Sequence, residues 1–205
     1  MKKIYLVRHG ESQWNPIKKI QGQTDIPLTK KGLNQAHLIG NRLISENIDK
    51  IYSSDLKRAY TTAKIIGNKI KLEVTIMKEF REINFGIWEG MTNEELLQNF
   101  YDEIQIWRRN PEKLSLEKSE SLQMLQERAM KGINNIIAEN KEKSNILVVS
   151  HGATIKTIIL GLLNIDLTHF KNLTISNTGL TIIEFREYNP VIKILNDICH
   201  LKECL

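Results

Sequence analysis

The chain reads as an α/β protein: three layers, α/β/α, around a mostly parallel but mixed central sheet. Three observations predict this. The strings Ile4–Ser12 (IYLVRHGES) and Ile146–Thr154 (ILVVSHGAT) both begin as branched apolar runs and both reach a His-Gly pair. Such runs are what strands buried on both faces look like. Between them, short apolar runs alternate with segments of helical spacing, which is the pattern of strand–helix–strand units. Near the C-terminus two further apolar runs flank Tyr188-Asn189-Pro190, so a hairpin adds an antiparallel part to the sheet.

Taken in order, Ile4–Val7 is the first strand. Thr29 caps a helix to about Ser45 that sets Leu33, Ala36, Ile39 and Leu43 on one face. Lys50–Tyr52 is a short strand, and a helix from about Asp55 turns Leu56, Ala59, Ala63 and Ile66 inward. Leu72–Met77 reads as another strand, with a glycine-bearing loop around Phe85–Gly90. One or two helices fit between Thr92 and Asn110, ending before Pro111. Leu122, Leu125, Ala129, Ile133 and Ile136 are spaced for a long amphipathic helix. Ile146–Val149 is the second buried strand, a helix follows from about Ala153, and Leu180–Phe185 pairs with Val191–Leu195.

The 205 residues suit one domain, 1–205, able to bury about 70% of its unfolded surface. The formal net charge is +5, but lysines are interspersed with glutamates, as in Glu139–Lys143 (ENKEK), which reads as a solvated face. Aromatic residues make up 6% and do not interleave with basic ones, so nucleic acid is not an expected partner. The scattered positive charge would still draw in a small anion. The apolar run after Lys3 is too short for a signal peptide core. Thr157–Ile165 is far short of the roughly 20 residues that span a bilayer, so no membrane partner is expected either. Cys199 and Cys204, around His200, are too few for a metal centre and read as free thiols of a cytoplasmic protein.

Four pieces carry chemistry. Arg8-His9-Gly10-Glu11 and Ser150-His151-Gly152 leave the two buried strands. Arg58, in SSDLKRA, sits in the first turn of its helix, where backbone N–H groups favour an anion. Arg81-Glu82 opens the stretch FREINFGIWEG. Alone, each has an ordinary reading: a strand-end histidine is usually a hydrogen-bonded structural residue, Arg58 a surface charge, Glu82 an exposed loop acid. Together they are harder to dismiss. If the two strands are neighbours, two imidazoles and a guanidinium emerge side by side, and ligands of open α/β sheets bind beyond the strands' carboxyl ends. Burying such a cluster is costly without an anion, and phosphate is the natural one.

These pieces resemble the histidine phosphatase superfamily, with its phosphoglycerate-mutase-like fold. The matching strings run in order: VRHGESQWN, QGQTDIPLTKKG, SSDLKRAYTTA, EINFGIWEG, Glu120-Ser121 and VVSHGAT, from about Lys2 to Leu163. The resemblance implies that His9 is the nucleophile, taking the phosphoryl group as phosphohistidine. It implies that Arg8, Arg58 and His151 clamp the phosphoryl oxygens, that Asn15 adds a hydrogen bond, and that Glu82 protonates the leaving oxygen. Gln21, Gly22 and Gly152 join the phosphate-binding set. No cofactor or metal is implied, because cationic side chains neutralise the phosphoryl charge. Such a reaction needs a neutral imidazole at position 9, its second nitrogen donating to a fixed acceptor such as a backbone carbonyl. It also asks for a Glu82 whose pKa is raised by desolvation, for which Phe80, Phe85 and Trp88 are the nearby candidates.

Two departures from the family pattern fall on substrate-facing segments, Gln23 and Lys118-Ser119-Glu120-Ser121 in place of Gly-Gly-Glu-Ser, and Ala153 stands where the mutases carry asparagine. The stretch between Glu82 and His151 has no match to the added segment of the family's mutases, which favours hydrolysis of a small phosphorylated metabolite. Phosphoglycerate mutase activity on the same site and non-catalytic phosphate binding are the alternatives. Met91–Leu116 is expected to form a lid and specificity wall, its Phe100, Tyr101 and Trp107 serving either the substrate's organic part or the lid's own small core. Resemblance to broad-specificity phosphatases and to α-ribazole phosphatase leaves the substrate open, and the protein is expected to be a monomer or homodimer.

Overall fold

Alternation along the strands decides which side of the sheet each helix covers. In strand β1 (Lys2–Arg8), Ile4 and Leu6 join one buried cluster while Tyr5 and Val7 join another. β4 (Asn145–Ser150) divides the same way, with Ile146 and Val148 opposed to Leu147 and Val149. A two-residue side-chain period on a sheet covered on both faces requires this division. Helices α1 (Lys30–Leu43) and α2 (Lys57–Ile70) close one face through Ile39, Leu43, Ala59, Ala63 and Ile66. Helices α5 (Leu122–Glu139) and α6 (Gly152–Leu162) close the other through Ala129, Ile133, Ile136, Ile155 and Ile158. The computed structural model describes residues 2–140 and 144–204, without the side chains of 203 and 204. Residues 141–143 of the charged run at 139–143, and the Cys204 thiol, therefore lie outside the described residues.

With β2 (Lys50–Ser53), β3 (Val74–Ile76), β5 (Leu180–Phe185) and β6 (Pro190–Asp197), the strand order is β3-β2-β4-β1-β5-β6. The first four run parallel, and β5 and β6 are antiparallel to their neighbours, so the sheet is mixed as expected. Pro190 begins β6 at the sheet edge, where a missing N–H costs no ladder bond. β1 and β4 are neighbours with Arg8 opposite Ser150, and the His9 N–H continues the ladder to the Ser150 carbonyl at 3.0 Å. His9 and His151 thus leave the sheet together.

Several local expectations shift. The α1 face is Gly32, Gln35, Ala36, Ile39, Gly40 and Leu43, and Leu33 is 38% exposed. Gly32 lies against the Glu11 carbonyl so closely that any Cβ would collide with it. That approach turns Leu33 outward. α2 starts at Lys57 rather than Asp55, because Leu56 is extended at ψ 131° and the Lys57 N–H is capped by Asp25 Oδ1 at 2.6 Å. β3 keeps only Val74–Ile76 of the anticipated Leu72–Met77.

Two helices occupy the segment before Pro111, α3 (Asn93–Asn99) and α4 (Tyr101–Arg109). Phe100 and Trp107 pack into a third apolar cluster with Ile83, Phe85, Trp88, Leu96, Ile104 and Phe170. Trp107 lies edge-on to Phe85 at 5.1 Å between centroids and 5.5 Å from Phe170, while Tyr101 is 60% exposed. Of the two readings of these aromatics, the small internal core describes Phe100 and Trp107. Among the described residues no helix is long and apolar enough to cross a membrane.

Candidate active site

At the carboxyl edge of β1, β2 and β4 the chain brings together Arg8, His9, Arg58, Glu82 and His151. Each arrives by its own route. Arg8 and His9 end β1, Arg58 stands in the first turn of α2 just after β2, and His151 caps α6 after β4. His9 and His151 face each other at 5.2 Å between ring centroids, tilted by 60°. Three of the five groups are all but removed from solvent, His9 at 2% exposed, Arg58 at 1% and His151 at 0%, and Arg8 is half-buried.

His9 Nδ1 lies 2.7 Å from the Gly10 carbonyl oxygen, an acceptor only, so Nδ1 carries the proton and Nε2 keeps its lone pair. This is the backbone acceptor the sequence calls for. Burial holds the imidazole well below its usual pKa, and the charges of Arg58 and then Arg8 push the same way. His151 is held down by burial, then by Arg58, His9 and Arg8. Its Nε2 is 2.9 Å from Ser54 Oγ, which also accepts from the Leu56 N–H at 3.3 Å. A Ser54 hydroxyl that donates to Nε2 puts the His151 proton on Nδ1.

The two arginines are gripped by carbonyls. Arg8 donates one Nη to Ile175 O at 2.6 Å; Arg58 donates to Thr24 O at 2.8 Å and Gly22 O at 2.6 Å. Burial lowers both pKa values, that of Arg58 to about 10, with the Glu82 charge as the first opposing influence. A guanidinium is not deprotonated in a protein at neutral pH, so both are cations. Six buried side-chain polar atoms of the described residues have no hydrogen-bond partner, and three belong to this cluster: Arg8 Nε, Arg58 Nε and His151 Nδ1. A buried donor without an acceptor costs about 1–3 kcal/mol, and more when charged.

Glu82 is placed differently from the expectation. Phe80 turns into the core beneath α5 and α6, and Phe85 and Trp88 into the third cluster, because short 3₁₀ turns at Lys78–Phe80 and Gly86–Trp88 rotate these rings inward. The carboxyl group instead meets donors. Its oxygens accept from the Ala153 and Thr154 N–H groups at 3.3 and 3.2 Å and from the Ile83 N–H at 3.1 Å, with Thr154 Oγ1, whose proton goes to the Arg81 carbonyl, 3.1 Å away. The first turn of α6 is therefore its cradle, as suits an acidic group at a helix N-terminus.

The remaining candidates flank this cluster. Asn15 Oδ1 accepts from the Ser12 N–H at 2.8 Å, leaving its Nδ2 as the donor on offer. Gln21 Oε1 accepts from Ser12 Oγ at 2.7 Å. Gly22 has φ +49°, and its carbonyl serves Arg58. A Cβ at Gly152 would stand in ordinary van der Waals contact with Arg8 Nε, at 3.6 Å. Sequence reasoning missed Ser54, Thr154 and Glu89 as contributors. Glu89 accepts from the Gln23, Thr24 and Phe85 N–H groups and from Thr24 Oγ1, and so shapes the loop that holds Arg58. Its only sequence signal is its place in the GIWEG string.

Among the described residues no group of three or more His, Cys, Asp or Glu is arranged to hold a metal ion. With both imidazoles kept neutral, the unfolded chain binds protons first as pH falls below 6.5, the ordinary imidazole value. Stability is expected to be full above that pH and to decline from there toward the lower folded values, before carboxylates titrate. Inorganic phosphate should oppose the decline. Thermal melting in phosphate-free buffer, at about pH 7.5 and about pH 5.5, checks this, and a melting temperature that rises on acidification would contradict it.

Sheet order and cluster together define a histidine phosphatase, and the chain belongs to that superfamily, branch 1, whose family model matches residues 4–198. It is 36% identical over 203 residues to "Phosphoserine phosphatase 1" of Hydrogenobacter thermophilus, covering 99% of this chain and 96% of that one. It is 33% identical over 211 residues to a "Probable phosphoglycerate mutase" of Yersinia pestis, covering 98% and 95%. A crystal structure of a phosphoserine phosphatase mutant from Entamoeba histolytica in complex with phosphoserine superposes with a TM-score of 0.88 at 37% identity, covering 98% of this chain and all of that one.

Proposed function

We propose that this protein hydrolyses phosphomonoesters of small metabolites through a phosphohistidine on His9, with no metal in the reaction. The observation that carries the reading is the set of buried, unpartnered nitrogens, Arg8 Nε, Arg58 Nε and His151 Nδ1, around an imidazole whose Nε2 lone pair is free. An anion with several oxygens satisfies all three, and phosphoryl transfer asks for positioning and charge neutralisation above all.

In the first half-reaction His9 Nε2 attacks phosphorus in line with the ester oxygen. Arg8, Arg58, His151 Nδ1–H and Asn15 Nδ2 hold the equatorial oxygens, and the P–O bond breaks as Glu82 gives its proton to the leaving alkoxide. In the second, Glu82 takes a proton from water, the water oxygen bonds to phosphorus, the N–P bond breaks, and His9 returns neutral with inorganic phosphate released. The 91–116 segment serves as lid and specificity wall. The relatives named phosphoserine phosphatases make phosphoserine the first substrate to try, for a cytoplasmic enzyme acting as monomer or homodimer.

The test is release of inorganic phosphate from p-nitrophenyl phosphate and phosphoserine, with and without chelator. Chelator-sensitive turnover would remove the metal-free mechanism, and no turnover would leave a phosphate-binding protein. Glu82→Gln is expected to lower kcat/KM for phosphoserine by about 10²–10⁴-fold, the usual worth of a general acid. p-Nitrophenyl phosphate should lose far less, because p-nitrophenolate departs with little protonation. Equal losses on both substrates would remove the acid role. A second reading, phosphoryl return to a second metabolite, is favoured by the mutase-named relative. Conversion of 3-phosphoglycerate in the presence of 2,3-bisphosphoglycerate, faster than phosphate release, would establish it.

A further inference from the structure

Arg128, on α5, is outside the group of reacting side chains, yet every one of its N–H donors is used. A guanidinium carries five such donors in one rigid plane. Nε and one Nη donate to the two Glu120 carboxylate oxygens at 2.6 and 2.8 Å. The other three bonds reach backbone carbonyls of the acid-bearing segment: Glu79 at 2.8 Å, Arg81 at 2.8 Å and Glu82 itself at 2.9 Å.

That segment has no sheet partner and only a short 3₁₀ turn at Lys78–Phe80, so side chains must satisfy its carbonyls. Ser150 Oγ takes the Phe80 carbonyl and Thr154 Oγ1 the Arg81 carbonyl, both at 2.8 Å. Glu120 completes the brace, accepting from the Asn84 N–H at 3.0 Å while its own N–H donates to Asn84 O at 2.8 Å. One turn beyond Arg128, Gly132 lets α5 press close: a Cβ there would stand 2.9 Å from Glu79 Cβ and 3.0 Å from Phe80 Cε1. The α6 N-terminus thus holds the Glu82 carboxyl oxygens, and Arg128 holds the backbone behind them.

We propose that Arg128, locked by Glu120, is a positioning residue for the Glu82 carboxyl, setting the direction from which the leaving oxygen receives its proton. This rests on the hydrolase reading above. Lysine cannot do the same work, since one ammonium cannot span three carbonyls and a carboxylate in a plane. A purely structural brace would slow every substrate alike when removed. A positioning brace slows those that need the proton, and kcat/KM reports only the steps through departure of the leaving group.

The experiment measures kcat/KM of Arg128→Met and Arg128→Lys on phosphoserine and p-nitrophenyl phosphate, alone and combined with Glu82→Gln. Inhibition by inorganic phosphate and thermal melting are recorded alongside. Arg128→Met is expected to lose about 10²-fold on phosphoserine, at the low end of general-acid effects, and much less on p-nitrophenyl phosphate. Phosphate inhibition should be unchanged, Arg128→Lys should fall between Met and the parent, and Glu82→Gln should add little in the Arg128→Met background. Equal losses on both substrates, weakened phosphate inhibition, or a full additional Glu82→Gln effect would each overturn the proposal. Should Arg128→Met fail to fold, Glu120→Gln keeps the side-chain volume, weakens the lock, and is read by the same comparison. No turnover by the unmodified protein would sink the hydrolase reading and this proposal with it, whereas substrate-independent losses sink this proposal alone.

Discussion

Replacing His9 by alanine is expected to bring turnover to background, a loss on the order of 10⁵–10⁶-fold, and to abolish the phosphoenzyme. With His9 as the proposed nucleophile, its removal leaves water to attack unaided, and the residual rate comes from the oxyanion-binding groups alone. The fold should persist. The imidazole makes one hydrogen bond, to the Gly10 carbonyl, worth about 1 kcal/mol net, and its burial among guanidinium groups already disfavours the charged form. Alkaline quench of the enzyme with radiolabelled substrate checks for the acid-labile phosphohistidine. A phosphoenzyme surviving in His9→Ala, or turnover within tenfold of the parent, would place the nucleophile elsewhere.

Arg58→Ala should be damaging too, for two separable reasons. One donor aimed at developing phosphoryl charge is typically worth about 10²–10³-fold in rate, and inhibition by inorganic phosphate should weaken along with it. The Thr24 and Gly22 carbonyls also lose their partner, at a cost of about 1–3 kcal/mol for each buried group left unpaired. Melting temperature should fall as the 21–26 loop loosens, even though Glu89 still holds its N–H groups. Arg58→Lys separates the two effects, keeping the charge without the fork. A third readout needs no substrate: the Arg58 charge helps hold both imidazoles down, so removing it lets the His9 and His151 pKa values rise. Titration of the imidazole C–H resonances measures that shift. Unchanged kinetics, phosphate inhibition and titration together would take Arg58 out of the clamp.

The sequence revealed the chemistry better than its setting. His9 and His151 were legible because a strand buried on both faces must be an unbroken apolar run, and the polar residue that ends it marks the sheet edge. Arg58 was legible as a cation in a helix's first turn. Arg128 was not. It reads as one more charged position on the outer face of an amphipathic helix, and only the approach allowed by Gly132 brings it onto the 79–82 carbonyls. Ser54 and Glu89 stayed hidden for a similar reason, because their partners, the His151 imidazole and the Gln23 and Thr24 N–H groups, are distant in sequence. Phe80, Phe85 and Trp88 were misplaced: proximity to Glu82 along the chain says nothing about which way a 3₁₀ turn rotates a ring.

Local sequence, then, determined the strands, the helices, the mixed sheet and the set of groups able to meet a phosphate, since periodicity and residue chemistry are written along the chain. Tertiary packing decided how those groups are held: which side chain meets the His151 ring, which carbonyls grip the arginines, and what stands behind the acid. Those are properties of hydrogen bonds closed between distant segments, and such bonds acquire a direction only when β1, β4, α2 and α5 have come together.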